Sequence, residues 1–150
     1  MPPSSPSPAR PSTLLPRRFS DWFAGRGWQA RDHQLAMVEA AQAGEDALLI
    51  APTGGGKTLG GFLPSLIELA AQTQQASPAR PHALHTLYIS PLKALSVDVA
   101  RNLMMPVAEM GLDLRIETRT GDTSAAKRQR QRASPPDILL TTPEQLALFC

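Results

Sequence analysis

Cysteine is almost missing from this sequence, with Cys150 the only one in 150 residues. One thiol cannot build an internal disulfide framework, which fits a reducing compartment, and Cys150 itself reads as a small apolar residue rather than a reactive group. Aromatic residues are scarce at 5%, too few for the broad platforms on which single-strand-binding proteins stack successive bases. No run approaches the ~18 consecutive apolar residues that a membrane-spanning helix needs. The N-terminal MPPSSPSPARPSTLLP has no apolar core of the kind a signal peptide carries. These absences predict a soluble, cytoplasmic protein with no membrane partner. Neither sign of charge dominates: 15 Lys and Arg against 13 Asp and Glu leave a formal charge of +2, which suits an anionic partner without demanding one.

What is present is enough apolar content, 42%, to bury the core of one modest domain. Six of the 15 prolines fall within residues 1–16, a stretch that reads as a disordered or polyproline-like leader and leaves residues 17–150 as the folded part. SDWFAGRG and RDHQLAMVEAAQAG read as two short helices. In the second, Leu35, Val38 and Ala41–Gln42 recur at helical spacing, and Gly44 supplies a stop. DALLIAP reads as a buried strand, Lys57 to Gln72 as a helix, and TQQASPARPH as a surface loop. HTLYIS (strand) then leads to PLKALSVDVARNLMMPVAEMG, a helix interrupted near Pro106. LDLRIETR (strand), SAAKRQRQRA (helix) and DILLTT (strand) follow, before PEQLALFC begins a last helix with Pro143 in its first turn. Strands alternating with helices predict an α/β fold with a parallel sheet covered on both faces.

Between DALLI and the next helix stands APTGGGKT, residues 51–58. Gly54, Gly55 and Gly56 let the backbone wrap closely around phosphate oxygens because no Cβ intrudes. The following helix start adds its dipole. Lys57 would reach the terminal phosphates and the Thr58 hydroxyl would hold Mg²⁺, with Thr53 completing the loop. A glycine turn opening a helix would look the same in isolation; the flanking strand and helix favour a nucleoside triphosphate site. Ala51 stands where the general motif has glycine, a position that alanine serves if its φ is negative.

APTGGGKT resembles motif I of the superfamily 2 helicases, in the form A-x-x-G-x-G-K-T. RDHQ places Gln34 like that family's Q-motif glutamine, whose carboxamide pairs with adenine. YISPLKALSVD resembles motif Ia, TRTGDT motif Ib and TTPEQL motif Ic, in the family's order. The wording of PLKALSVD, ETRTGDT, AAKRQRQR and ILLTTPEQL is similar to the Lhr-type, ligase-associated DEXH-box DNA helicases, over roughly residues 20 to 150. The resemblance implies a RecA-like first helicase domain with ATP and Mg²⁺ as cofactors. It also implies a groove for one nucleic-acid strand along Pro91, Leu92, Lys93, Thr120, Gly121, Asp122, Thr123, Thr141, Thr142, Pro143 and Glu144. All these loops follow strands, so in a parallel sheet they open on one edge. Threonine hydroxyls, backbone amides and one lysine suit phosphate tracking without sequence reading.

The same resemblance implies single-stranded DNA as the partner, including 3′-tailed duplex or DNA–RNA hybrid, a role in repair, and a DNA ligase and a nuclease as associates. Lys127, Arg128, Arg130 and Arg132 form a basic cluster that reads as a solvated face or, beside TRTGDT, as a phosphate contact. His33, His82 and His85 have no spacing of a metal site.

The family's acidic D-E-x-H segment, which holds Mg²⁺ and aligns water, is not found at the end of any apolar strand here. Asp137 opens its strand at the end away from the P-loop, and Asp98 and Glu144 have no apolar run before them. The expectation is therefore the N-terminal portion of a longer ATP-dependent DNA helicase, with hydrolysis requiring residues beyond 150. Two other readings stand beside it: a non-catalytic nucleotide- or nucleic-acid-binding module, and a P-loop NTPase that does not act on nucleic acid.

Overall fold

Phe19 and Phe23, four residues apart, share one buried face of helix α1 (Arg17–Gly25), as 3.6-residue periodicity requires. α1 packs with α2 (Asp32–Gln42) and α3 (Lys57–Gln75) in a core that also takes Val38, Leu63, Leu66 and Leu69. The computed structural model describes residues 14–75 and 83–148. Most of the expected leader (1–16), most of the expected loop (73–82) and Cys150 lie outside those residues. α2 ends as expected at Gly44, whose φ of 70° reverses the chain.

Three strands follow: β1 (Thr86–Ile89), β2 (Ile116–Arg119) and β3 (Ile138–Thr141). They form a parallel sheet in the order β1-β3-β2, with Tyr88, Leu140 and Thr118 in one row. α4 (Lys93–Glu109) connects β1 to β2, α5 (Ala125–Ala133) connects β2 to β3, and α6 (Pro143–Ala147) comes last. The chain steps across the sheet through α4 and back through α5, and right-handed crossovers then place the two helices on opposite faces. The contacts agree. Val99, Ala100 and Leu103 of α4 join Ile138 and Leu140 in the core, whereas Gln131 of α5 donates to Glu117, whose neighbours in the strand face the other way. The second face is covered unevenly, since Leu139 is buried while Leu87 and Ile89 on the β1 edge remain exposed.

Two expectations are corrected. DALLIAP is not a buried strand: Leu48 and Ile50 are 84% and 83% exposed, and Leu49 between them is half-buried. The alternation is that of an extended chain, but a strand exists only within a hydrogen-bonded ladder, and among the described residues no strand pairs with this segment. α4 is not interrupted at Pro106 but runs through it. The proline removes a donor and crowds the carbonyl one turn back, at about 3 kcal/mol. Burial of Leu103, Pro106 and Val107 offsets that loss, each apolar side chain contributing about 1.5–3 kcal/mol, and the ladder resumes with Met110 N–H on the Pro106 carbonyl at 2.9 Å.

Leu66 has 0% exposure at the centre of this packing. Leu66→Ala is expected to destabilise the domain by about 2–5 kcal/mol, read as a fall in the chemical-denaturation midpoint; a change within about 0.5 kcal/mol would remove α3 from the core.

Candidate functional site

The loop Ala51–Gly56 turns directly into α3, so its backbone amides sit at a helix N-terminus. Gly54 and Gly56 hold φ of 77° and 75°, values that side chains disfavour. A Cβ on Gly56 would stand 2.7 Å from Gln34 Nε2, and one on Gly55 would stand 2.8 Å from the Pro52 carbonyl oxygen. The loop thus has the form of a cradle that any side chain would fill. Lys57 Nζ donates to the Ala51 carbonyl at 2.6 Å across the mouth of the loop. Thr58 is exposed in the first turn of α3, and Thr53 is exposed on the loop.

Gln34 is 3% exposed, and both ends of its carboxamide are held by backbone. Oε1 accepts from Arg31 N–H at 2.9 Å, and Nε2 donates to the Gly56 carbonyl at 3.1 Å. The first bond is half of a helix capping box; the second ties α2 to the phosphate loop. Each amide group keeps capacity for one further hydrogen bond. Gln34 lines a cleft of about 480 Å³ together with Phe23, Trp28, Arg31, Gly54 and Gly56. Phe23, Trp28 and Arg31 were not singled out in the sequence. For Phe23 and Trp28 the signal was present, because aromatics within a dozen residues of Gln34 in a chain so poor in them are conspicuous.

The three expected strand-end loops lie at the same edge, since β1, β2 and β3 run parallel in register. They are also tied to one another. Ser90 N–H donates to the Thr141 carbonyl at 3.0 Å, Thr141 Oγ1 donates to the Arg119 carbonyl at 2.8 Å, and Lys93 is ion-paired with Asp122. Pro91, Leu92, Lys93, Gly121, Asp122, Pro143 and Glu144 are exposed, and Thr123 is partly so. Thr120, Thr141 and Thr142 are buried, which assigns Thr141's hydroxyl to holding the loops together. Thr123 Oγ1 accepts from Thr120 N–H at 2.9 Å and closes the TGDT turn. The Glu144 carboxyl is held below the usual carboxylate range, first by its own backbone N–H and then by the Thr142 hydroxyl. Lys57 and Thr58 border a second cleft with Thr86, Leu87 and Tyr88, so the phosphate loop lies beside β1.

The basic cluster divides by task. Arg128 donates to the Thr120 and Gly121 carbonyls at 3.3 and 3.0 Å, bracing the TGDT turn, while Arg130 pairs with Glu117 at 3.2 Å. Burial lowers the pKa of Arg119, with the charges of Arg132 and then Arg128 adding to it. Asp137 lies at the N-terminal end of β3, where its carboxylate accepts from Arg115 N–H at 2.8 Å. That is the end of the sheet away from the three loops. Among the described residues no group of three or more His, Cys, Asp or Glu could hold a metal ion, and no helix is long and apolar enough to cross a membrane.

The sequence profile of the DEAD/DEAH box helicases matches residues 31–150. The chain belongs to that family. It is 42% identical to the Lhr helicase/uracil glycosylase of Escherichia coli, over 93% of this chain and 10% of that protein. It is 34% identical to the ATP-dependent helicase Lhr-Core of Methanocaldococcus jannaschii, over 90% of this chain and 17% of that protein. The fold matches the Mycobacterium smegmatis helicase Lhr bound to ssDNA and AMP-PNP at a TM-score of 0.74 and 37% identity, covering 87% of this chain and 17% of that one. It also matches the helicase MrfA bound to DNA and AMPPNP at a TM-score of 0.76 and 32% identity, over 91% of this chain and 18% of the other. The Lhr-type resemblance read from the motifs and the RecA-like α/β fold both agree with these matches. The chain spans less than a fifth of the length of each of these proteins.

Proposed function

We propose that this chain is the N-terminal part of the first RecA-like domain of an ATP-dependent DNA helicase, with residues 1–16 as a leader. The observation that carries the reading is the Ala51–Thr58 cradle, built on two glycines of positive φ and bordering strand β1 of the sheet whose strand-end loops are linked to one another. The cradle takes the phosphates of ATP through backbone amides and Lys57, and Gln34 faces the same cleft with spare hydrogen-bonding capacity for adenine. Thr58 fits Mg²⁺ as one hydroxyl ligand, phosphate oxygens and water supplying the others. The names of the solved neighbours support both ligands, since Lhr of M. smegmatis and MrfA were each seen with DNA and a nucleotide analogue.

The exposed Pro91–Lys93, Gly121–Asp122 and Pro143–Glu144 hold one strand of DNA, on single-stranded, 3′-tailed or hybrid substrates. The buried Thr120, Thr141 and Thr142 keep those loops in register. Hydrolysis needs a carboxylate of the DEXH kind that aligns water and metal, supplied by the longer protein. The Lhr-type resemblance and the E. coli relative, whose name joins a helicase to a uracil glycosylase, support a role in repair, and the near-absence of cysteine supports a cytoplasmic setting. A ligase and a nuclease are the partners that the resemblance implies.

Lys93 is the test of the strand groove. Lys93→Ala in the full-length protein is expected to weaken single-stranded DNA binding about equally for all sequences, and to reduce the salt dependence by roughly one phosphate contact. An unchanged slope of log affinity against log salt concentration would remove Lys93 from the groove.

A further inference from the structure

The residues read as the strand groove have a charge balance opposite to the one a polyanion favours. Among the exposed residues of the three loops Lys93 is the one cation, and it stands against Asp122 and Glu144. Glu144 is engaged locally, its carboxylate held by its own backbone N–H and then by the Thr142 hydroxyl. Asp122 is engaged with the lysine itself. The two side chains form an ion pair between the loops after β1 and β2, and each is more than half exposed.

Neither loop depends on that pair for its shape. Lys93 stands at the first position of α4, a helix anchored at its far end, where the Glu109 carboxylate accepts from Arg26 Nε at 2.9 Å and from Trp22 Nε1 at 2.8 Å. The TGDT turn is closed by Thr120 N–H on Thr123 Oγ1 and braced by Arg128 on the Thr120 and Gly121 carbonyls. Ser124 caps α5 by accepting from Lys127 N–H at 3.3 Å. Among the described residues Lys93 is the one partner of the Asp122 carboxylate. A pair so exposed adds little to stability. Its effect falls instead on whatever anion approaches Lys93.

We propose that Asp122 is a built-in competitor of the nucleic-acid strand: with the groove empty its carboxylate takes the place of a phosphate on Lys93, and a bound strand displaces it. This rests on the reading of the loops as a strand groove, and the test separates the two. Binding at Lys93 is then an exchange of one anion for another, so the contact is weak and the pair re-forms as the strand leaves. Fluorescence anisotropy of a labelled single-stranded oligodeoxynucleotide compares the full-length native protein with Asp122→Asn, Lys93→Ala and the double variant, between about 50 and 200 mM salt. Asp122→Asn is expected to tighten binding about three- to tenfold at the low end of that range. It is also expected to steepen the slope of log affinity against log salt by up to about 0.7, the share of one phosphate contact on a single strand. In the Lys93→Ala background the same substitution should change affinity by less than about twofold, since the cation it frees is gone. An equal gain in both backgrounds overturns the proposal, because Asp122 then acts by plain repulsion of the strand. Unchanged or weaker binding in Asp122→Asn also overturns it. Where Lys93→Ala weakens binding and Asp122→Asn does not tighten it, the groove stands and the competitor falls; where Lys93→Ala changes nothing, the groove falls with it.

Discussion

Lys57→Ala in the full-length protein is expected to lower ATP turnover by about a hundred- to a thousandfold, while single-stranded DNA binding stays within about twofold. Lys57 lies at the first position of α3, and its ammonium spans the loop mouth to the Ala51 carbonyl. A triphosphate entering the cradle replaces that carbonyl with oxygens of far greater charge. The ammonium then neutralises charge that builds as the terminal phosphoryl group leaves. Among the described residues, Arg31 is the one other cation lining these two clefts, so little there could replace it. In the proposed reading, strand binding rests on different residues, Lys93 and the exposed loops at the ends of β1 and β2. Phosphate release and fluorescence anisotropy on the same preparation measure the two effects, and retained turnover would contradict the P-loop assignment.

Gly56→Ala is expected to damage both stability and nucleotide binding. At a φ of 75° an alanine is strained, by roughly 1–2 kcal/mol. The added carbon also lies 2.7 Å from Gln34 Nε2, so the buried carboxamide must shift, at the expense of its bonds to the Gly56 carbonyl and to Arg31 N–H. Each group left without a partner costs about 1–3 kcal/mol. Gly54→Ala is the internal comparison, because Gly54 has an equally unfavourable φ of 77° but nothing within 4 Å of the added carbon. Denaturation midpoints should fall further for Gly56→Ala than for Gly54→Ala, and ATP affinity should fall at least about tenfold in the former. Equal losses would show that the contact with Gln34 carries no weight.

Much of this was legible in the sequence, for reasons that differ between elements. TLYI and DILLTT announced themselves as strands because apolar β-formers sit between turn residues, and their parallel pairing followed from the helices between them. Ser124 caps α5 and Pro143 opens α6, both local signals that need no tertiary context. DALLIAP failed for the complementary reason: its pattern describes a segment suited to pairing, and pairing depends on a partner that no local pattern contains. Pro106 misled because its cost is local, whereas the burial that offsets it is contributed by residues far away in sequence.

The candidate site divides in the same manner. The glycine turn that opens α3 is a contiguous motif, and its shape could be read directly. The tie from Gln34 to Gly56 spans 22 residues and the clasp from Arg26 to Glu109 spans 83, and such contacts become visible only when the chain is folded. The exposed and buried halves of the strand-end loops were likewise indistinguishable in sequence. Thr141 and Thr123 both read as threonines of short polar loops, yet Thr141 ends strand β3 and its hydroxyl ties β3 to β2, whereas that of Thr123 closes a turn.

The most direct measurement is phosphate release from ATP by the full-length protein, with and without a single-stranded oligodeoxynucleotide. Magnesium-dependent turnover that rises when the oligonucleotide is added is expected, because the cradle and the strand-end loops border one sheet. Absence of turnover, or turnover indifferent to the nucleic acid, would contradict it.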